Sequence, residues 1–180
     1  YLVSVVFASE SAGLTYPDGT QALVDTNVNV AAGEFVSIVG PSGCGKSTLL
    51  RVASGLIAQT SGKISRSGTV QFVFQDSTLL PWRTVRKNVS LNLELQKVEK
   101  HIVDERTKAV LDLVGLTDSA EKLPRQLSGG MKMRTSLARS LICEPDLYLF
   151  DEPFAALDEF TRERLNVELR SMLSLSLIHI

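Results

Sequence analysis

Apolar residues fall in short blocks near both ends of the chain and recur at helical spacing through its middle. Val3 to Phe7 predicts a strand, and Tyr16-Pro17-Asp18-Gly19 a turn. Asn27 to Val30 alternates polar and apolar, as a half-buried strand does, and Ala32-Gly33 breaks it. EFVSIVG, Glu34 to Gly40, predicts a buried strand running into a glycine-rich loop. Lys46 to Ser54 has a helical pattern with Gly55 as its stop, and Thr69 to Phe74 is another apolar strand. Thr84 to Val98 and Lys100 to Val114 both predict helices. In the second, Val103, Val110, Leu111 and Val114 share one face, and Gly115 ends it. A helix opening at Ser128, the strand Leu147 to Phe150 and a last helix from about Thr161 complete the set.

Two successive helices without a strand between them predict a helical insert in an α/β chain. The division this gives is a core of residues 1–76 and 127–173, a helical subdomain of 77–126, and a tail of 174–180 that reads as non-native sequence. The 180 residues suit one such domain, and 44% apolar content supplies its core.

Charge and cysteine usage narrow the class. Nineteen basic against 20 acidic residues leave a net charge of -1, which argues against a nucleic-acid partner held by a basic face. Cys44 and Cys143 form neither a CxxC pair nor a disulfide framework, so a reducing compartment is expected. No run approaches the roughly 18 apolar residues that span a bilayer. The apolar block Leu2 to Ala8 lacks a basic leader and is short for a signal peptide, so a strand is the better reading. A first residue of Tyr rather than Met reads as a truncated start, and a leader upstream stays open.

Chemistry concentrates in two places. Gly40-Pro-Ser-Gly-Cys-Gly-Lys-Ser-Thr48 matches G-x-x-x-x-G-K-[ST] between a predicted buried strand and a helix. Backbone N–H groups of such a loop (Gly40, Ser42, Gly43, Cys44 and Gly45 here) wrap a polyphosphate, aided by the helix N-terminus. Lys46 would reach the β- and γ-phosphates, Ser47 would ligate Mg²⁺, and Thr48 closes the motif. Cys44 reads as a small filler, since no base stands beside it. At the end of the strand LYLF come two carboxylates: Asp151, to hold magnesium through water, and Glu152, to polarise an attacking water. Together they point to a nucleoside triphosphatase using Mg²⁺, without saying which kind.

Two further features narrow the type. Leu127-Ser128-Gly129-Gly130 sets two glycines at a helix start, where each costs roughly 1 kcal/mol against Ala. Gln75 follows the strand TVQFVF. In this order, the phosphate loop, Gln75, LSGG and Asp151-Glu152-Pro153 closely resemble the nucleotide-binding domain of ATP-binding cassette (ABC) proteins, over roughly residues 1 to 172. The resemblance implies a P-loop NTPase core with an ABC-type mixed sheet, and a helical subdomain between the Gln75 loop and the LSGG signature. It makes Tyr16 the aromatic that stacks on adenine, although Tyr16 also reads as a turn aromatic. Gln75 would touch magnesium and the water, beside the plainer reading of a polar strand end. Ala156-Leu157-Asp158 resembles the D-loop that contacts the other subunit, and Asp158 also suits an N-cap. The family's two domains meet head to tail, so that Ser128, Gly129 and Gly130 of one subunit face the γ-phosphate held by the other.

The details QDSTLLPWRTVRKNV, LSGGM and DEPFAALDEFTRERL resemble importers of the nitrate, sulfonate, taurine and bicarbonate type. They imply an ATPase subunit on the cytoplasmic face of the bacterial cell membrane. Its partners would be a second copy, an integral-membrane permease and, indirectly, a periplasmic or extracellular solute-binding protein. Trp82 reads either as a packing aromatic or as an exposed anchor near the permease. The alternatives are a soluble ABC ATPase outside transport, or an ATP-binding fragment unable to hydrolyse. The last arises because the family places a switch histidine after one more strand. His101 lies in the insert and reads as a surface residue, while His179 in SLSLIHI falls several residues too early. Met131 and Met133 stand where the family favours Gln; Met131 reads as variation within the importer subgroup, and Met133 has no physical reason in the sequence.

Overall fold

The computed structural model describes residues 4–152, 159 and 163, and the backbone of 176–179. The backbone groups into two compact units. One takes residues 4–72, Pro145–Glu152 and the strand near the C-terminus; the other takes Val73–Glu144.

The first unit holds two sheets. In the antiparallel one, β1 (Val5–Thr15) lies between β2 (Gln21–Ala31) and β4 (Ser61–Arg66). Both long strands exceed the expected spans, for a reason visible in their backbones. Ser11 and Asp25 have φ of +46° and +43°, and the register of β1 slips between Ser9 and Ala12. Such bulges add residues that break the two-residue alternation on which a strand assignment rests. The sequence reading omits β4 because it is polar and exposed apart from half-buried Ile64.

The second sheet runs β3-β7-β6-β5: β3 (Phe35–Ser37), β7 (Ser176–His179), β6 (Leu147–Phe150) and β5 (Val70–Val73). β6 is buried throughout, as its four apolar residues predict. The buried strand expected over EFVSIVG is shorter and more open. β3 covers three residues at the sheet edge, and Phe35 is exposed. β7 pairs in parallel with both β3 and β6 and sets the His179 backbone level with Phe150. The segment that reads as a tail thus supplies a central strand; its side chains lie outside the description. The expected helix from Thr161 and the Ala156–Asp158 segment also lie outside the described residues.

Helix α1 (Lys46–Ser54) buries Leu49, Leu50, Val52 and Ala53. Leu50 and Ala53 pack with Phe7, Val30, Leu147 and Leu149, while Leu49 and Val52 pack with Leu14 and Leu23. One helix thereby bridges the two apolar clusters, which fixes the loop at its N-terminus.

In the second unit, the single helix expected over Thr84–Val98 is two short ones, α2 (Val85–Val89) and α3 (Leu91–Leu95). Ser90 lies between them and donates its hydroxyl to Glu94, an alternative bond by which serine competes with helix continuation. α4 (Lys100–Leu113) is as predicted, burying Val103, Thr107 and Leu111 and ending before Gly115. Val110 is half-buried. α5 (Gly129–Leu141) packs on α2 and α4 and so belongs to this unit. Met133 is buried there, 4% exposed, which gives its apolar side chain the reason missing from the sequence. His101 is exposed beside Glu99, as expected of a surface residue.

Candidate functional site

The phosphate-loop motif occupies the turn between β3 and α1. Gly45 caps α1 with φ of +95°, and a methyl group there would lie 2.4 Å from the carbonyl oxygen of Ala22. Only glycine meets both conditions, which explains the residue before Lys46. Gly43 also has a positive φ, +80°, with open space where a side chain would stand. The loop therefore presents backbone rather than side chain along part of its exposed rim.

Lys46 Nζ donates to the carbonyl oxygens of Gly40 and Pro41, each at 2.9 Å, and lies 4.0 Å from Cys44 Sγ. The ammonium thus folds across its own loop. These bonds are exposed, so an anion of high charge can exchange with the two carbonyls at modest cost. Cys44 is exposed and free.

The hydroxyl of Ser47, at the start of α1, donates to Asp151 Oδ1 at 2.8 Å. Asp151 is buried at the end of β6, next to Phe150. A hydroxyl and a carboxylate in contact are hard oxygen donors of the kind that magnesium takes alongside phosphate and water. The donor set therefore fits Mg²⁺. Glu152 follows Asp151, exposed and with φ of +47°. A non-glycine residue held in this region costs on the order of 1–3 kcal/mol. Its backbone turns sharply where the strand ends.

Tyr16 is half-buried, and its hydroxyl lies 3.5 Å from Thr48 Oγ1 at the close of the phosphate loop. The turn that presents it is built locally. Gly19 N–H donates to the Tyr16 carbonyl, and Tyr16 N–H to the Thr20 carbonyl, both at 2.9 Å. Asp18 Oδ1 accepts from Thr20 N–H, and the backbone and side chain of Thr20 hold the Asp18 carboxyl below its usual range. The structure thus brings Tyr16, Gly40–Thr48 and Asp151 together in the first unit.

Gln75 and Ser128–Gly130 belong to the second unit. Gln75 is exposed in a bend after β5. Ser128 caps α5, its hydroxyl accepting from Met131 N–H at 3.3 Å. A methyl group on Gly129 would meet nothing within 4 Å. No neighbour in the described protein explains a glycine at this position. Asn88, which the sequence pattern does not single out, is a fully buried amide. It accepts from Leu80 N–H and donates to the carbonyls of Leu80, Arg83 and Thr84, ordering the segment that follows Gln75. Its helix, VRKNV, carries Arg86 and Lys87 as well, so nothing in the sequence sets Asn88 apart.

The sequence profile described as ABC transporter matches residues 23–155, from β2 through the phosphate loop and signature to the strand-end carboxylates. The chain belongs to the ABC transporter family. Among curated ABC relatives, it is 44% identical over 165 residues to the nitrate import ATP-binding protein NrtC of Synechococcus elongatus, covering 85% of this chain and 25% of that protein. It is 43% identical over 154 residues to the aliphatic sulfonates import ATP-binding protein SsuB of Bacillus licheniformis, covering 81% of this chain and 59% of that one. The chain thus spans a quarter to about three-fifths of the length of these relatives. A dimeric ATP-binding cassette in a post-hydrolysis state, bound to ADP and Pi, superposes with a TM-score of 0.87 at 30% identity, over 96% of this chain and 86% of that one. The fold is therefore that of an ABC cassette, a P-loop NTPase core of mixed α/β structure.

Proposed function

We propose that the chain is the nucleotide-binding part of an ABC importer's ATPase subunit, which binds ATP with Mg²⁺ and hydrolyses it to drive a partner permease. The observation that carries this reading is the Ser47–Asp151 contact, which joins the phosphate-loop helix to the strand-end carboxylate. In this reading the loop amides and Lys46 bind the phosphates, Tyr16 stacks on the base, and Ser47, Asp151 and Gln75 hold Mg²⁺. Mg²⁺ held by these residues would supply positive charge against the phosphates. Glu152 orients water and accepts its proton as the oxygen attacks the γ-phosphorus in line with the departing ADP oxygen.

Ser128, Gly129 and Gly130 meet the γ-phosphate held by a second copy in a head-to-tail dimer. Free N–H groups at the start of α5 and the open space at Gly129 suit that contact. The names of the relatives favour import of nitrate, sulfonate or a similar small anion. A permease and an external solute-binding protein are then the further partners, with this subunit on the cytoplasmic membrane face. No helix among the described residues is long and apolar enough to cross a membrane, in keeping with a peripheral subunit.

Sedimentation of Glu152→Gln with Mg-ATP tests the reading. The variant should bind ATP and sediment as a dimer, returning to monomer when ATP is omitted. A monomer at saturating Mg-ATP would contradict the shared site.

A further inference from the structure

The chain segment just after Gln75 is tied to α5. Arg139 donates through Nη1 to the Thr78 carbonyl oxygen at 3.0 Å, and through Nη2 to the Ser77 carbonyl at 3.2 Å and the Thr78 hydroxyl at 2.9 Å. Thr78 has φ of +44°, a left-handed conformation that a β-branched residue seldom adopts unaided. The backbone there presents two successive carbonyls to one planar fork of donors. Arginine satisfies such a set; lysine offers a compact ammonium without the fork.

Arg139 stands on the helix that begins at Gly129, about 15 Å along its axis at 1.5 Å per residue. One helix therefore carries both the Ser128–Gly130 end and the grip on the loop. Asn88 grips the same loop further along, at Leu80, Arg83 and Thr84, and belongs to α2, which packs on α5. The loop is held at both points to elements of one unit.

We propose that Arg139 is a positioning residue for Gln75, pinning Ser77 and Thr78 to α5 so that the Gln75 loop moves with the signature helix. The proposal rests on the reading of Gln75 given above as the residue that reaches Mg²⁺. It gives α5 a second task. A phosphate that draws in its N-terminus shifts the loop that carries Gln75.

Limited proteolysis of the 180-residue chain reads the tether without nucleotide. In Arg139→Lys and Arg139→Ala, cleavage within 76–80 should be about ten-fold faster or more, the effect of losing one charged hydrogen bond, while α4 and α5 stay intact. Cleavage at the wild-type rate in the lysine variant, which keeps the charge and the stem, overturns the proposal. Equilibrium dialysis of ATP with and without Mg²⁺ then separates the two claims. Gln75→Ala and Arg139→Lys should both shrink the gain in affinity that Mg²⁺ brings, Arg139→Lys should leave metal-free ATP binding unchanged, and the double variant should lose no more of that gain than Gln75→Ala alone. If Gln75→Ala shrinks the gain and Arg139→Lys does not, the positioning role falls while the reading of Gln75 stands. If Gln75→Ala leaves the gain intact, that reading fails and takes the proposal with it.

Discussion

Ser47 and Asp151, 104 residues apart in the chain, meet in a 2.8 Å hydrogen bond. The first opens α1, and the second follows β6. Because α1 packs into the cluster formed by Leu147 and Leu149, burial of β6 sets this distance. Ser47→Ala would leave the buried carboxylate without that donor, at a cost of about 1–3 kcal/mol. Thermal unfolding should show the loss in the apo protein. Mg-ATP should recover part of it if the cation takes the place of the hydroxyl, and a variant as stable as wild type without ligand would contradict the contact.

Cys44 reports on the loop without mutation. Its thiol is exposed beside Lys46. Mg-ATP should slow alkylation of Cys44 relative to the protein without nucleotide, as followed by intact mass. Equal rates would count against binding at Gly40–Thr48.

Gly129 separates folding from function. Alanine there meets open space and removes a poor helix former, so Gly129→Ala should leave the fold unchanged or stabilise it by about 0.5–1 kcal/mol. In the Glu152→Gln background it should nonetheless weaken ATP-driven dimerisation. A variant both more stable and fully able to dimerise would remove the reason given for the glycine.

Asp146 gives a pH dependence. Its carboxylate accepts from Thr69 N–H at 2.7 Å and from the Thr69 hydroxyl at 3.0 Å, and the first of these is the larger cause of its lowered pKa. A carboxyl lowered on folding adds stability that is complete above its unfolded value of about 3.9 and fades as pH falls through the lower folded value. Unfolding midpoints should therefore drop below about pH 4 in wild type, and more shallowly in Asp146→Asn. Parallel curves would exclude this group from the acid response.

What the sequence discloses follows from how local each signal is. The phosphate loop, α1, α4 and β6 are legible because their chemistry or periodicity is contained in a few neighbouring residues. β4 is not, since a polar edge strand such as SGKISR owes its existence to pairing with β1. The split between α2 and α3 depends on one side-chain bond at Ser90, and bulges at Ser11 and Asp25 hide the length of β1 and β2. The loop is marked by its motif, Asp151 by the end of an apolar strand and Tyr16 by the family resemblance, whereas Asn88 and Arg139 are marked by none of these. Their partners are backbone carbonyls, and carbonyls leave no mark in a sequence.

The central claim, a polyphosphate site built from the Gly40–Thr48 loop and Asp151, is tested most directly by calorimetric titration of the chain and its Lys46→Ala variant with Mg-ATP. Wild type should bind one ATP per chain, and Lys46→Ala should lose about 2 kcal/mol or more of binding free energy, some thirty-fold in affinity. Equal affinity in the two proteins, or no binding by wild type, would contradict the account.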